Sequence, residues 1–303
     1  MEINAQLKTP LTLVNGEKLP NVTRFVLGGM GGSRLPAEFF RAMFPALSVQ
    51  VWKSYGLPPE PPKDALYIAS SYSGNTKETL SFFDEARAQN MKCAVIAGGG
   101  ELLLRARAAG VPHIQIPWEE ATPARRMLPT MFRALSLLVM KKDDIVREVF
   151  EASPRAGVYE RGVSLSGSIP AGSITVFYAS EKNAILAEYA KIEVNETAHI
   201  PAYASAFPEF LHNELAEFAR EDTRITPVFF FDPTDDERAV KDARHAMRFL
   251  EKKRYVPVAI DLTENERNAV LAEAILIIQG LSDALARDRV ATPDFMREFR
   301  KEN

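Results

Sequence analysis

Short apolar runs alternate with stretches in which apolar residues recur every three or four positions. In the first half the runs are TRFVLGGM (23–30), SVQVWKSYG (48–56), ALYIASS (65–71), KCAVIAG (92–98) and HIQIPW (113–118). Each has the length and β-favouring content of a strand. A helix is predicted after residue 76, where Leu80, Phe83 and Ala86 recur at three-residue steps with Lys77, Glu78, Asp84 and Glu85 between them. Another is predicted over about 125–140. Strands separated by helices imply a parallel sheet covered on both faces. The spacer LPPEPPK (57–63) has no helical pattern and reads as a Pro-rich loop.

Residues 153–172 are rich in Ser, Gly and Pro without a sustained period, so a domain junction is predicted there, with domains over 1–152 and 153–303. The alternation then resumes with SITVFYAS (173–180), a helix near 182–195, RITPVFFFDP (224–233), a charged helix over about 235–253, VPVAIDL (256–262) and a long apolar helix over about 266–286. A second α/β unit on the plan of the first is expected. Trp118 and the run Phe229, Phe230, Phe231 read as core aromatics.

Composition narrows the functional classes. The 303 residues are 46% apolar and 25% charged, with a net charge of −3 and no basic stripe, which argues against nucleic acid as a partner. No signal peptide is read at the N-terminus, and no run of about 18 apolar residues for a membrane span. Cys93 is the single cysteine, so cytoplasm is the expected compartment. With four scattered histidines, no metal site and no cofactor are expected.

The chemistry is expected at two turns. SYSGNT (71–76) places the hydroxyls of Ser71, Ser73 and Thr76 and a glycine where a strand ends and a helix begins. Helix starts attract anions, and Gly74 permits the tight turn that aims them, so this is a candidate phosphate cradle. The same residues would also serve as an ordinary helix cap. One strand earlier, GGMGGS (28–33) offers Gly31, Gly32 and Ser33. Its spacing is not GxGxxG, because Arg34 stands where the last glycine would be, which disfavours a dinucleotide.

Together GxGGS and SYSGNT resemble the sugar isomerase family, whose SIS domains bind phosphorylated sugars. VNETAHIPAYASAFPEFLHNE (194–214) resembles the NE…PE…HN segment of the bifunctional phosphoglucose/phosphomannose isomerase branch, with the sixteen-residue spacing from Glu196 to His212 kept. RRMLP (125–129) matches the branch's RxxLP motif, and GG followed by leucine (99–102) and VATP (290–293) extend the resemblance over nearly the whole chain. It implies an α/β protein of two SIS-type, flavodoxin-like three-layer domains, each a parallel sheet flanked by helices. The implied reaction interconverts glucose 6-phosphate, and mannose 6-phosphate, with fructose 6-phosphate.

That chemistry suits the residues. Moving a proton between C1 and C2 needs a carboxylate that reaches both carbons, for which Glu196 is the candidate. The enediolate needs a fixed cation, and Arg125 could supply it. Ring opening needs a group that titrates near neutrality, a role for His212. Arg126 and His199 are their rivals, set aside because the family spacing does not require them, while His113 and His245 read as structural. The resemblance further implies that Ser33, Ser71, Ser73 and Thr76 hold the 6-phosphate and that a homodimer shares the active site, the partner subunit lending its histidine. Two positions depart from the family pattern. Gly98 replaces the usual serine or threonine, and Phe299 stands where the final helix usually carries a lysine, so that Arg300 is the substitute cation. The alternatives are a non-catalytic phosphosugar sensor and an isomerase of another phosphosugar, such as a phosphoheptose or an amino sugar.

Overall fold

The computed structural model describes residues 3–119, 121–144, 146, 150, 157–220 and 224–287. The chain divides into two compact units, Met1–Pro154 with Thr263–Ala272, and Arg155–Leu262 with Glu273–Asn303.

The first unit contains strands β1 (Leu13–Val14), β2 (Arg24–Gly28), β3 (Ser48–Trp52), β4 (Ala65–Ser71), β5 (Lys92–Ala97) and β6 (His113–Gln115). Helices α1 (Ile3–Lys8), α2 (Leu35–Met43), α3 (Lys77–Ala88), α4 (Gly100–Ala108) and α5 (Leu128–Met140) accompany them. The sheet order is β1-β6-β5-β4-β2-β3, parallel throughout except for the edge pair β1 and β6. All seven residues of β4 are buried, which is why the central strand reads as an unbroken apolar run. Its Ala65, Tyr67 and Ala69 face α3 and α4, packing with Phe82, Phe83, Leu102 and Leu103. Phe40 of α2 meets Phe132 of α5 edge-on at 5.6 Å in the other helical layer.

Helix α3 buries Thr79, Phe82, Phe83 and Ala86, so its inner face is rotated from the predicted Leu80, Phe83, Ala86 stripe and Leu80 is only partly buried. Gly28 accommodates this face, since a β-carbon on it would lie 2.4 Å from the Phe82 ring. A glycine at the end of β2 makes room for that ring, whose burial contributes about 1.5–3 kcal/mol.

The second unit has strands β7 (Ile174–Ser180), β8 (Ala202–Phe207), β9 (Ile225–Phe231) and β10 (Val258–Asp261) in the order β10-β9-β7-β8, all parallel. Its helices are α6 (Val158–Leu165), α7 (Ala184–Glu193), α8 (Glu237–Lys252) and, from Glu273 onward, α9 (Arg267–Ala286). Tyr178, Phe207, Phe210, Phe229 and Phe231 form the core with Ala243, Ala246, Met247 and Leu250 of α8.

Four expectations are corrected. Residues 158–165 form a helix inside the predicted junction. Gly162 there serves close packing, since a β-carbon on it would stand 2.0 Å from the Ile277 carbonyl, and one on Gly280 of α9 would stand 2.1 Å from that of Tyr159. Strand β8 lies in the stretch read only for its motif. Trp118 is 50% exposed, not core, whereas Phe229, Phe230 and Phe231 are buried. Helix α9 is long and apolar enough by composition to cross a bilayer, contrary to the expectation that no segment qualifies, yet 83% of its most apolar window is buried inside the protein. Glu273 of α9 is fully buried and paired with Arg161 at 2.6 Å, which places a carboxylate inside that window.

Candidate active site

Open parallel sheets receive ligands beyond the carboxyl ends of their strands, where successive connections leave in opposite directions. In the first unit β2 connects to β3 on one side and β4 to β5 on the other, so the switch point lies between β2 and β4. The two predicted turns follow those strands. Gly31, Gly32 and Ser33 lie in the 3-10 turn Gly31–Arg34, with Gly31 at φ 49°. Ser71, Ser73 and Thr76 follow β4, with Gly74 at φ 71°.

Two of the four hydroxyls face each other, and the other two accept main-chain N–H groups. Ser71 Oγ lies 2.9 Å from Thr76 Oγ1 and accepts the Gly74 N–H at 3.1 Å. Ser73 Oγ accepts the Asn75 N–H at 3.2 Å, and Ser33 Oγ accepts that of Tyr72 at 3.0 Å. Thr76 occupies the N-cap position of α3 but makes no side-chain cap bond, which weighs against the ordinary-cap reading. A β-carbon on Gly74 would stand 1.8 Å from the Gly99 carbonyl, so the turn closes against the loop that starts α4. Asn75 Oδ1 accepts the Glu101 N–H at 3.0 Å across the same seam.

Arg125 joins this cluster. It sits in the 3-10 turn Ala124–Met127, ahead of α5, whose early Pro129 suits a helix start. Its main chain abuts Gly32, and the residue is buried. Gly31, Gly32, Ser33, Ser71, Ser73, Thr76 and Arg125 therefore share one unit and adjoining loops.

Glu196 and His212 lie in the second unit. Helix α7 continues into a π-helical turn, Val194–Ala198, that carries Glu196, and such turns recur at functional sites. Both flanks of Glu196 are tied down. Asn195 exchanges hydrogen bonds with the main chain of Ala202 at the start of β8, at 2.8 and 3.2 Å. The fully buried Glu193 accepts from Tyr189 at 3.0 Å, Thr197 at 3.1 Å and Ser282 at 3.4 Å. Glu196 itself is exposed. His212 ends the 3-10 turn Glu209–His212 and is exposed as well. Glu196 precedes the six-residue β8 and His212 follows it, so a strand roughly 20 Å long lies between them along the chain. Phe299, Arg300 and VATP lie outside the described residues.

The second unit's own switch point, between β7 and β9, is filled. Asn183 donates to Asp232 at 2.9 Å and to Asp235 at 3.0 Å, Ser180 donates to Asp235 at 2.8 Å, and Lys182 lies 3.4 Å from Asp232. Burial pushes the Asp232 carboxyl up, but hydrogen bonds from Asn183 and Thr234 and the Lys182 charge outweigh it and leave it below its ordinary value. Burial raises that of Asp235 against the Ser180 hydrogen bond, and the neighbouring Asp232 charge raises it further. A phosphate placed there would meet the Asp232 and Asp235 carboxylates. Among the described residues no group of three or more His, Cys, Asp or Glu side chains is placed to hold a metal ion.

Sequence reasoning missed Tyr72, Asn75, Glu193 and Asn195. Tyr72, Asn75 and Asn195 lie inside the motifs but bond mainly to main-chain atoms of other loops, and Glu193 joins the side chains of Tyr189 and Thr197, one turn away on either side, to the distant Ser282.

Two parallel-sheet units, the first with hydroxyls and glycine turns at its switch point, define an SIS-type protein. Solved structures agree on the fold. A hypothetical protein from Thermus thermophilus superposes with a TM-score of 0.68 at 17% identity, covering 99% of this chain and 87% of that one. Tagatose-6-phosphate ketose/aldose isomerase from Escherichia coli gives 0.63 at 15%, covering 87% and 81%. Within that class, the chain belongs to the bifunctional phosphoglucose/phosphomannose isomerase family. It is 30% identical over 261 residues to the member from Aquifex aeolicus (strain VF5), covering 84% of this chain and 80% of that relative. It is 31% identical over 242 residues to the Thermoplasma acidophilum member, covering 78% and 76%. The profile of the bacterial phospho-glucose isomerase C-terminal SIS domain matches residues 164–294.

Proposed function

We propose that the chain is an aldose–ketose isomerase that interconverts glucose 6-phosphate, and mannose 6-phosphate, with fructose 6-phosphate. The observation that carries this is the hydroxyl cradle of Ser33, Ser71, Ser73 and Thr76 at the switch point of a chain from this family. The cradle holds the 6-phosphate. His212 opens the ring by moving a proton between O1 and the ring oxygen, Glu196 carries a proton between C2 and C1, and Arg125 stabilises the enediolate between them. Arg300 supplies a further cation to the sugar.

The length of β8 between Glu196 and His212 supports a homodimer in which His212 of the partner subunit completes each site. We assign domains to 1–152 and 153–303 and the enzyme to the cytoplasm, with no membrane or nucleic-acid partner. The decisive experiment is a coupled assay for glucose 6-phosphate formed from fructose 6-phosphate in EDTA. Turnover is expected; its absence removes the assignment in favour of a phosphosugar sensor.

One relative favours a second reading. The protein named D-glucosamine-6-phosphate 4-epimerase from Sulfolobus acidocaldarius is 30% identical over 200 residues, covering 64% of this chain and 63% of that relative. Turnover of glucosamine 6-phosphate in place of fructose 6-phosphate would select it.

A further inference from the structure

Tyr72, the second residue of SYSGNT, takes no part in the chemistry above, yet each of its polar atoms serves a different loop of the site. Its N–H donates to Ser33 Oγ at 3.0 Å, in the turn after β2. Its carbonyl accepts the Gly98 N–H at 3.0 Å, in the loop after β5. Its hydroxyl accepts the Glu119 N–H at 2.9 Å and donates to the Glu119 carbonyl at 3.3 Å. Glu119 leads toward Arg125, and its carboxylate and carbonyl both bond Thr122, at 2.7 and 3.1 Å.

The ring of Tyr72 is almost fully buried beneath Trp118, with centroids 4.7 Å apart. Burial pushes its phenol above the ordinary range, against the hydrogen bond with Glu119, so the hydroxyl stays a donor at neutral pH. Gly98 completes the arrangement. A β-carbon there would lie 2.6 Å from the Tyr72 carbonyl and 3.2 Å from the Trp118 ring. The unusual glycine and the exposed tryptophan thus belong to one packing solution, in which the indole lies across the tyrosine.

We propose that Tyr72 is a positioning residue that holds Arg125 in register with the phosphate cradle, its hydroxyl acting through the main chain of Glu119 and its ring through Trp118. This rests on the reading that Arg125 faces the reacting carbons. The cradle keeps its own geometry when the hydroxyl is lost, because Ser33 bonds the Tyr72 main chain. The Arg125 segment keeps its main-chain contact with Gly32 and the hydrogen bond from Gln6 to the Arg126 carbonyl at 2.7 Å, but loses its tether at Glu119.

The test is Tyr72→Phe, which keeps the ring and removes the hydroxyl. For fructose 6-phosphate, kcat is expected to fall about tenfold or more, since small misplacements of an electrostatic group are costly. KM and the dissociation constant for inorganic phosphate should stay within about threefold. Hydrogen exchange should quicken in peptides carrying Glu119 and Arg125, and stay unchanged in those carrying 71–76. An unaltered kcat, or a loss matched by weaker phosphate binding, overturns the proposal. If the wild-type chain has no isomerase activity, the functional reading fails by that result alone. Exchange in the Glu119 and Arg125 peptides still decides whether Tyr72 holds the segment, and unchanged exchange refutes it.

Discussion

A β-carbon added to Gly32 would stand 2.3 Å from the backbone nitrogen of Arg125. The turn after β2 and the turn carrying the arginine are therefore in main-chain contact, and nothing flexible lies between them to absorb a side chain. Gly32→Ala is expected to cost about 1–3 kcal/mol by overpacking and to reduce kcat at least tenfold by displacing Arg125. Gly31→Ala is the control, because its β-carbon would meet nothing within 4 Å. That variant incurs only the strain of a left-handed backbone, about 1–2 kcal/mol. Melting curves and steady-state kinetics on both separate the two effects. Equal kinetic losses would show that the contact with Arg125 is irrelevant.

The paired hydroxyls of Ser71 and Thr76 predict a binding defect instead. A hydrogen bond to a charged group contributes about 1.5–3 kcal/mol, so Ser71→Ala and Thr76→Val should each raise KM for fructose 6-phosphate roughly 10- to 150-fold. The two are neighbours and should not add. Titration with inorganic phosphate should show the same weakening, and unchanged phosphate affinity would move the cradle elsewhere.

Legibility differed from element to element. Strand β4 and the turn after it could be read directly, because a strand buried on both faces is an apolar run and the turn residues are fixed by backbone geometry. Strand β8 was hidden. Its AYASAF is mostly small residues, Tyr203 is exposed, and it pairs only with β7 at the sheet edge. Helix α6 was obscured by Gly162, which lowers helix propensity but is required by the approach of Ile277. Leu80 illustrates a finer limit, since the stripe was right in period but the buried face includes Phe82, whose ring fits against Gly28, a residue far away in the chain. Glu196 was reached through resemblance alone. Its π-helical turn is flanked by Glu193, whose partner Ser282 is far away in the chain, and by Asn195, which bonds the main chain of Ala202.

The filled switch point of the second unit gives a pH prediction. Asp232 has a carboxyl held below its ordinary value, so its stabilising contribution is present above the ordinary carboxylate range and is lost as pH falls through the folded value. Asp235 is raised, so its contribution is fully present below the unfolded value and is lost as pH rises through the folded one. At neutral pH Asp232→Asn should therefore lower the melting temperature, while Asp235→Asn should leave it unchanged or raise it. Asp235→Asn should converge with wild type as pH falls below its raised folded value, and Asp232→Asn only at lower pH, once the depressed folded value of Asp232 is passed. Melting temperatures over about pH 3–8 check this, and a neutral-pH destabilisation by Asp235→Asn larger than that by Asp232→Asn would contradict it.

The separation of Glu196 from His212 along β8 leads to a test of the shared site by mixing variants. Glu196→Gln removes the proposed base, so kcat should fall by about 10²- to 10⁴-fold with phosphate affinity retained. His212→Ala should be comparably impaired on the cyclic substrate. If each site takes Glu196 from one subunit and His212 from the other, a dimer of one variant with the other has one site lacking both groups and one site intact. Unfolding and refolding the two variants together in equal amounts gives about half heterodimers, each with one working site. Roughly a quarter of wild-type activity should therefore return. If both groups served the same subunit's site, every site in the mixture would lack one of them and no activity would reappear. Recovery thus distinguishes a shared site from a self-contained one without any knowledge of how the subunits meet.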